Sequence, residues 1–184
     1  PRFTIKDVGI THRWITHWHI KGLLARKYEE QKWRKFNMIE YVWLKMIVQM
    51  RKFNLPLAEI KKVKDIILEE LPYSAFLDTN EEADIIKKIN PSEKVDEIIK
   101  SDKFKKDVKA NKTTFLENFI LDSLLFGSNY SVLINSQGDY APMKENYFNE
   151  VKVMKGGAEF LKGSFISISI FEILAEFINT NSLD

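Results

Sequence analysis

The most chemically versatile side chains of this sequence lie together near its beginning. The segment HRWITHWHI, residues His12–Ile20, contains all three histidines of the 184-residue chain and two of its four tryptophans. Such a group could bind a metal ion, carry out acid–base catalysis, or form a surface that contacts another molecule. The spacing of these side chains, and the elements that position them, decide between the three possibilities.

The spacing argues against a metal site. His12, His17 and His19 are five and two residues apart, whereas two ligands on one helix are normally three or four residues apart. His12 and His19 would share a helix face but would lie about 10 Å apart along the axis. The segment contains no carboxylate and the chain contains no Cys, so we expect no metal here.

Catalysis is not indicated either. No nucleophile or orienting acid holds a meaningful position beside the histidines. The rest of the chain has no glycine-rich phosphate loop, no paired histidines and no nucleophile elbow. We therefore predict that the protein is not an enzyme and has no cofactor.

Charge is distributed unevenly along the chain. The net charge is only +2, but residues 1–68 carry 15 Lys and Arg against 6 Asp and Glu, whereas residues 69–184 carry 13 against 20. All four tryptophans also lie in the first 43 residues. This asymmetry favours two modules, the first of which binds a polyanion, over ordinary solvated surfaces. The absence of Cys and of any membrane-length apolar run fits a cytoplasmic protein without a membrane partner.

The first 22 residues predict a helix-turn-helix. Thr4 is placed to begin a short helix that Gly9 ends, and Thr11 to begin a second helix that Gly22 ends. Within the second helix, Trp14, Ile15 and Trp18 have the spacing of an inward face. Two short helices around a tight glycine turn are typical of this motif.

The next segments predict a wing and two longer helices. Residues 25–36 are polar and basic with no helical period, which favours a β-hairpin. Asn37 and Glu40 form a capping-box pattern before a helix at 38–52. A further helix is expected from about Leu57 to Leu71, with Ile60, Val63, Ile66 and Ile67 inward, and Pro72 ending it.

The remainder predicts a small α+β module. We expect a connector at 73–80, two helices before residue 101, a lysine-rich patch at 101–112, an apolar helix at 115–126, a hairpin over 130–143, a short helix near 158–161, a strand at 165–170 and a final helix at 171–178. Pro142 predicts that its strand lies at an edge. The expected fold is therefore mainly α, α+β overall, with a winged helix-turn-helix at 1–72 and a module containing a short antiparallel sheet at 73–184.

Four blocks of the first 70 residues together resemble the DNA-binding domain of the mercury-resistance regulator (MerR) family. They are Phe3-Thr4-Ile5, the helix ITHRWITHW that ends in Gly22-Leu23-Leu24, the WRKFN segment with Glu40 after it, and MRKFNLPLAEI at 50–60. Their order and spacing follow the family pattern over residues 3–68. The resemblance implies a dimeric promoter-binding protein that acts by deforming the DNA between promoter elements.

The chain also departs from the family pattern. Its first helix and turn are about four residues shorter, and Thr16 and His17 replace the usual Arg and Tyr. Pro72 interrupts the helix that normally continues into a dimerising coiled coil, so we expect any dimer to form through the C-terminal part or in a different way. Without cysteines, sensing of mercury is not implied.

These patterns predict where DNA would bind. The recognition helix at 11–21 would enter the major groove and the wing at 25–36 would follow the phosphates. Trp33 and Phe36 are expected to pack rather than to stack on bases. The predicted contact residues are His12, Arg13, Thr16, His17, Arg26, Lys27, Lys32, Arg34 and Lys35.

Several alternatives stay open at this point. The same winged domain could belong to an excisionase-type or DNA-architectural protein without an effector site, or to a protein-interaction module. The C-terminal part could hold a small-molecule effector, although an ordinary core with an oligomer interface is favoured. A ligand-dependent change in DNA affinity would indicate a regulator with an effector.

Overall fold

The computed structural model describes residues 3–26, 35–72, 111–144 and 157–181 of the chain. The wing tip, the connector at 73–80, the two helices expected before residue 101 and most of the lysine-rich patch lie outside these ranges. The helices are α1 (Ile5–Val8), α2 (His12–Ile20), α3 (Met38–Lys52), α4 (Leu57–Ile67), α5 (Phe115–Phe126), α6 (Gly157–Phe160) and α7 (Ile170–Asn181). The strands are β1 (Leu71–Pro72), β2 (Lys112–Thr113), β3 (Tyr130–Asn135), β4 (Tyr140–Lys144) and β5 (Phe165–Ser169).

The predicted helix-turn-helix is present and is short. The backbone N–H of Thr4 donates to the Asp7 carboxylate at 2.6 Å, which fixes the first turn of α1. Gly9 follows α1 with φ of 77°, a left-handed conformation that allows the chain to turn at once toward α2. The helix therefore has only four residues, as its sequence predicts.

Helix α3 is the central element of the fold. Its predicted capping box is confirmed: Glu40 N–H donates to Asn37 Oδ1 and Asn37 N–H donates to Glu40 Oε2, each at 2.8 Å. The apolar face of the helix is buried from Val42 to Met50, and so are residues on a second face. The buried members are Glu40, Tyr41, Val42, Trp43, Leu44, Met46, Ile47 and Met50.

Helix α4 differs from its prediction in two ways. Ile66 was expected inside but its surface is 39% exposed, whereas Ile60, Val63 and Ile67 are fully buried. Ile66 lies at the border of the buried stripe that contains these three residues. The helix also ends at Ile67 rather than near Leu71, because Leu71 and Pro72 extend as β1 and pair antiparallel with β2.

The C-terminal elements follow their predicted order. Gly127 ends α5 with φ of 66°, and the antiparallel sheet has the strand order β4-β3-β5. Pro142 lies in β4, an edge strand, where it interrupts no second ladder, as predicted. The fold is thus a mixed α+β structure with two small antiparallel sheets and a helical N-terminal region.

Both halves of the chain contribute to one hydrophobic core. The buried cluster runs from Phe3 through α3 and α4 to α5, the central strand β3 and α7. A salt bridge of 2.8 Å joins Lys45 of α3 to Glu176 of α7. The turn of the β3–β4 hairpin packs against Glu59 of α4 at Gly138. The two predicted domains share this core, and a domain boundary at residue 72 stays a prediction.

Candidate nucleic-acid interface

Both ends of α2 are fixed by local hydrogen bonds. At its start, the Thr11 hydroxyl accepts a bond from Trp14 N–H at 3.4 Å. At its end, Gly22 N–H donates to His19 O and Leu23 N–H donates to Trp18 O, each at 2.9 Å. Gly22 has φ of 69°, the left-handed conformation that lets these two donors reach back to the helix.

Helix α2 is also attached to the two longer helices. The Trp43 indole Nε1 of α3 donates to Leu23 O at 2.7 Å, in the core. The Lys64 ammonium of α4 donates to Gly22 O at 2.8 Å, where a cation also suits the negative end of the helix dipole. Burial lowers the pKa of Lys64. These two bonds fix the direction in which α2 leaves the core.

The inner face of α2 is narrower than the sequence predicts. Ile15 and Trp18 are buried at 0% and 3% exposure, but Trp14, which was expected beside them, is 49% exposed. Position 14 lies at the border of the stripe that contains positions 15 and 18. The Trp14 ring leans on the Trp18 ring instead, with centroids 5.8 Å apart and a tilt of 52°.

The outer face of α2 brings four of the predicted contact residues together. His12, Arg13 and His17 are exposed and Thr16 is half-buried. The Thr16 hydroxyl and His12 Nδ1 lie 3.3 Å apart, one helical turn from each other. These side chains can offer hydrogen-bond donors and positive charge from a rigid helix.

The base of the predicted wing is held by Arg26. Its Nε lies 2.5 Å from Glu40 Oε1, and its Nη2 donates to Lys35 O at 3.3 Å. Glu40 is buried, so this ion pair ties the chain before the wing to the start of α3. Lys35 is exposed. The other predicted wing residues, Lys27, Lys32 and Arg34, lie outside the described residues.

The end of the predicted wing segment pairs with Phe3, near the beginning of the chain. Phe3 N–H donates to Phe36 O at 2.8 Å and Phe36 N–H donates to Phe3 O at 2.7 Å. Phe36 is buried, which agrees with the prediction that it packs rather than stacks on bases. This bridge fixes the end of the predicted wing segment, and the hairpin itself stays a prediction.

Two cations beside α2 were not assigned a role from the sequence. Arg51 and Lys52, in the last turn of α3, line a cleft together with Arg13 and His17 of α2. Arg51 Nη1 also donates to Leu55 O at 2.7 Å, across the turn into α4. Two consecutive basic residues at a helix end are visible in the sequence. Their position next to α2, however, depends on how α3 packs.

Two features of other protein classes are absent from the described residues. Over the four described ranges, no helix is long and apolar enough to cross a membrane. Within those ranges, no cluster of three His, Asp or Glu side chains could hold a metal ion.

Comparison with known proteins agrees with the N-terminal geometry. Residues 5–65 match the family model described as MerR HTH family regulatory protein. No curated protein and no solved structure is significantly similar to the chain. The match supports a DNA-binding regulator at a coarse level and covers about a third of the chain. Helix α2, which presents His12, Arg13, Thr16 and His17, thus lies in a segment that is similar to the helix-turn-helix regulators of the MerR family.

Proposed function

We propose that the protein is a sequence-specific regulator of transcription that binds double-stranded DNA in the manner of MerR proteins, in the cytoplasm. One observation carries the proposal: α2 presents His12, Arg13, Thr16 and His17 on the face opposite its buried anchors, inside the segment that matches a DNA-binding family. In this proposal α2 enters the major groove, which is wide enough for a helix.

Each residue of the outer face has a distinct role in this proposal. The planar guanidinium of Arg13 can make two parallel hydrogen bonds to a guanine edge, or to one phosphate. His12 and His17 can donate to a phosphate or to a base acceptor, and Thr16 can do either. Since α2 is fixed to α3 and α4 by Trp43 and Lys64, these groups would keep their positions relative to the groove.

The wing is assigned to the DNA backbone. Lys35, together with Lys27, Lys32 and Arg34 from the sequence, would follow the phosphates beside the groove. Arg26 was predicted as a further phosphate contact. Its ion pair with the buried Glu40 supports a second role, which is to fix the base of the wing so that the lysines approach the backbone together.

We assign dimerisation to the C-terminal part. Helix α5 leaves Leu121, Leu124 and Leu125 exposed, the last at 68%. Spaced three and four residues apart, they lie on one side of the helix, and an exposed leucine patch of this kind suits a second copy of the chain. A dimer would place two copies of α2 on two DNA half-sites. Leu125→Lys should then shift sedimentation from dimer to monomer, whereas Lys162→Ala should not.

The DNA proposal is tested by fluorescence anisotropy with the full chain over a salt series. The native upstream duplex is compared with a random duplex of equal length, for the wild type, Arg13→Ala and Arg34→Ala. Lys162→Ala is the control, because Lys162 is an exposed cation that precedes β5. We expect a steep loss of affinity with salt, since bound phosphates release counterions.

The variants separate base contacts from phosphate contacts. Arg13→Ala should weaken binding to the native duplex more than to random DNA, by roughly 1–3 kcal/mol. Arg34→Ala should weaken both duplexes alike and reduce the salt slope by about one. Binding of both duplexes without preference would favour an architectural protein. No binding at low salt would refute the DNA proposal and favour a protein-interaction module.

A further inference from the structure

A cleft opens beside α2 at the point where α1 ends. It has a volume of about 760 Å³ and lies between α2 and the last turns of α3. Gly9 lines it from the end of the single-turn helix α1, and Leu57 lines it from the start of α4. Because Gly9 has no side chain, the chain passes from α1 to α2 without filling this space.

The inner surface of the cleft is largely apolar. Trp14, Trp18 and Ile20 of α2 line it, opposite Val48 of α3 and Leu57. Trp14 and Ile20 are 49% and 75% exposed, so large apolar surfaces face water there. Covering such surfaces with an apolar group is favourable by about 25 cal/mol per Å². The cleft is therefore suited to the apolar body of a ligand.

The ionisable residues of the same cleft are all basic. They are Arg13 and His17 on α2, and Arg51 and Lys52 on α3. Its lining includes no Asp or Glu. The guanidinium groups of arginine are suited to binding a carboxylate through paired hydrogen bonds. The charge of the lining therefore selects for an anion.

Together these observations point to a specific ligand class. We propose that the cleft binds a small organic anion with an aromatic or aliphatic body, such as an aryl carboxylate. Its body would cover Trp14 and its carboxylate would lie among Arg13, Arg51 and Lys52. The volume is within the 300–1,000 Å³ typical of ligand sites. A DNA phosphate would supply the charge but not the apolar body, and would leave Trp14 uncovered.

The ligand would oppose DNA binding. Arg13 and His17 line the cleft and also belong to the outer face of α2, so a bound carboxylate would neutralise charge that DNA requires. This part of the inference rests on the proposed function, whereas binding to the cleft does not. The site would make the helix-turn-helix domain itself responsive to a metabolite.

The first experiment measures ligand binding without DNA. The full chain is titrated with 2-naphthoate while the Trp14 indole N–H signal is followed by NMR. We expect a shift that saturates with a Kd on the order of 0.1–1 mM, as for a ligand of about a dozen non-hydrogen atoms. The uncharged 2-naphthalenemethanol should bind at least about tenfold more weakly, because it cannot pair with the cations.

Variants locate the site. Trp14→Ala and Lys52→Ala should each raise the Kd by roughly tenfold, with binding of Trp14→Ala followed by calorimetry. Phe53→Ala is the matched control, because Phe53 adjoins Lys52 and is exposed but does not line the cleft. Circular dichroism checks that each variant is folded. Equal affinity for the alcohol, no shift at 5 mM naphthoate, or unchanged binding by both cleft variants would overturn the site.

The second experiment adds DNA. At constant ionic strength, saturating naphthoate should raise the Kd for the native duplex by at least about threefold, and the alcohol should not. Naphthoate binding without any effect on DNA affinity would overturn the proposed opposition. If the wild type binds no DNA at all, the proposed function fails, while the anion titration still decides the site.

Discussion

The ring of Phe177 in α7 packs edge-on against the ring of Phe3, with centroids 4.9 Å apart and planes at 79°. Phe3 also stacks on Tyr41 of α3 at 4.6 Å, and its backbone pairs with Phe36 at the end of the predicted wing. Helix α7 is thus in direct contact with the residue that pairs with the end of the predicted wing segment. In the proposed function, this contact would couple the C-terminal elements to the DNA-binding surface.

Phe177→Ala should therefore lower stability and DNA affinity together. Removing a partly buried aromatic ring should reduce the free energy of unfolding by about 2–3 kcal/mol, measured by urea denaturation. Glu176→Ala is the control in the next position. This variant removes the Glu176 carboxylate that pairs with Lys45. Because that carboxylate is mostly exposed, the free energy of unfolding should fall by less than about 1 kcal/mol. Equal losses for the two variants would contradict the packing role of Phe177.

Truncation of the two tryptophans of α2 should lower stability by very different amounts. Trp18→Ala should lower the free energy of unfolding by about 3–5 kcal/mol, because the indole is buried in the core. Trp14→Ala should lower it by less than about 1 kcal/mol, because half of that side chain is in water. Thermal and urea unfolding of both variants would measure this. A larger loss for Trp14→Ala would mean that α2 is rotated about its axis.

Gly138→Ala should separate the C-terminal hairpin from α4. A Cβ at this position would lie 2.8 Å from Glu59 O, a backbone atom that cannot move alone. The left-handed φ of 78° adds about 1 kcal/mol of strain. We expect a total loss of roughly 2–4 kcal/mol in the free energy of unfolding.

Gly127→Ala provides the matched control for Gly138→Ala. It has a similar φ of 66°, but nothing lies within 4 Å of its added Cβ. It should therefore show only the strain, about 1 kcal/mol. If both variants lose the same amount, the contact between the hairpin and Glu59 does not contribute to stability.

Stability should fall as pH rises above 10. Burial, and then the charge of Glu69, raise the pKa of Tyr140 above its usual value of 10.0, and burial raises that of Tyr41. In this range the unfolded chain releases the phenolic protons while the folded protein keeps them. The unfolded state is thereby favoured, with a slope of at most about 1.4 kcal/mol per pH unit for each tyrosine.

Tyr140→Phe should make this decline shallower. Urea denaturation at pH 9, 10, 10.5 and 11 would measure the slopes of the variant and the wild type. The lowered pKa of Lys64 acts in the opposite direction, because it makes stability rise as pH approaches 10.5, so the two proteins are compared at each pH. Identical slopes above pH 10 would contradict a role for Tyr140.

Much of the fold was predictable because the signals are local. The capping box of Asn37 and Glu40 fixed the start of α3, and glycines with positive φ ended α1, α2 and α5 where the sequence places them. The edge position of Pro142 also followed from the residue alone, since proline lacks the N–H that an inner strand needs. Each of these depends on a few neighbouring residues.

The predictions from sequence were wrong where the burial of a side chain depends on a residue that is distant in the chain. Trp14 and Ile66 both lie at the border of an apolar helix stripe, and nothing in their own helices indicates how far the neighbouring surface extends. The roles of Arg51 and Lys52 were missed for the same reason: a basic pair at a helix end is ordinary, and only the packing of α3 beside α2 puts it on a shared cleft. Arg26 could be recognised as a cation but not as the partner of Glu40.

By itself, the sequence determined the ends of α1, α2 and α5, the order of the described elements, the outward cations of α2 and the resemblance of the first third to a DNA-binding family. These follow from short-range hydrogen bonding, backbone conformation and helical period. The tertiary structure decided which tryptophan is buried, which cations meet at the cleft, and that Phe177 packs against Phe3. Such outcomes depend on side chains that are far apart in the chain, because packing of the core sets their distances.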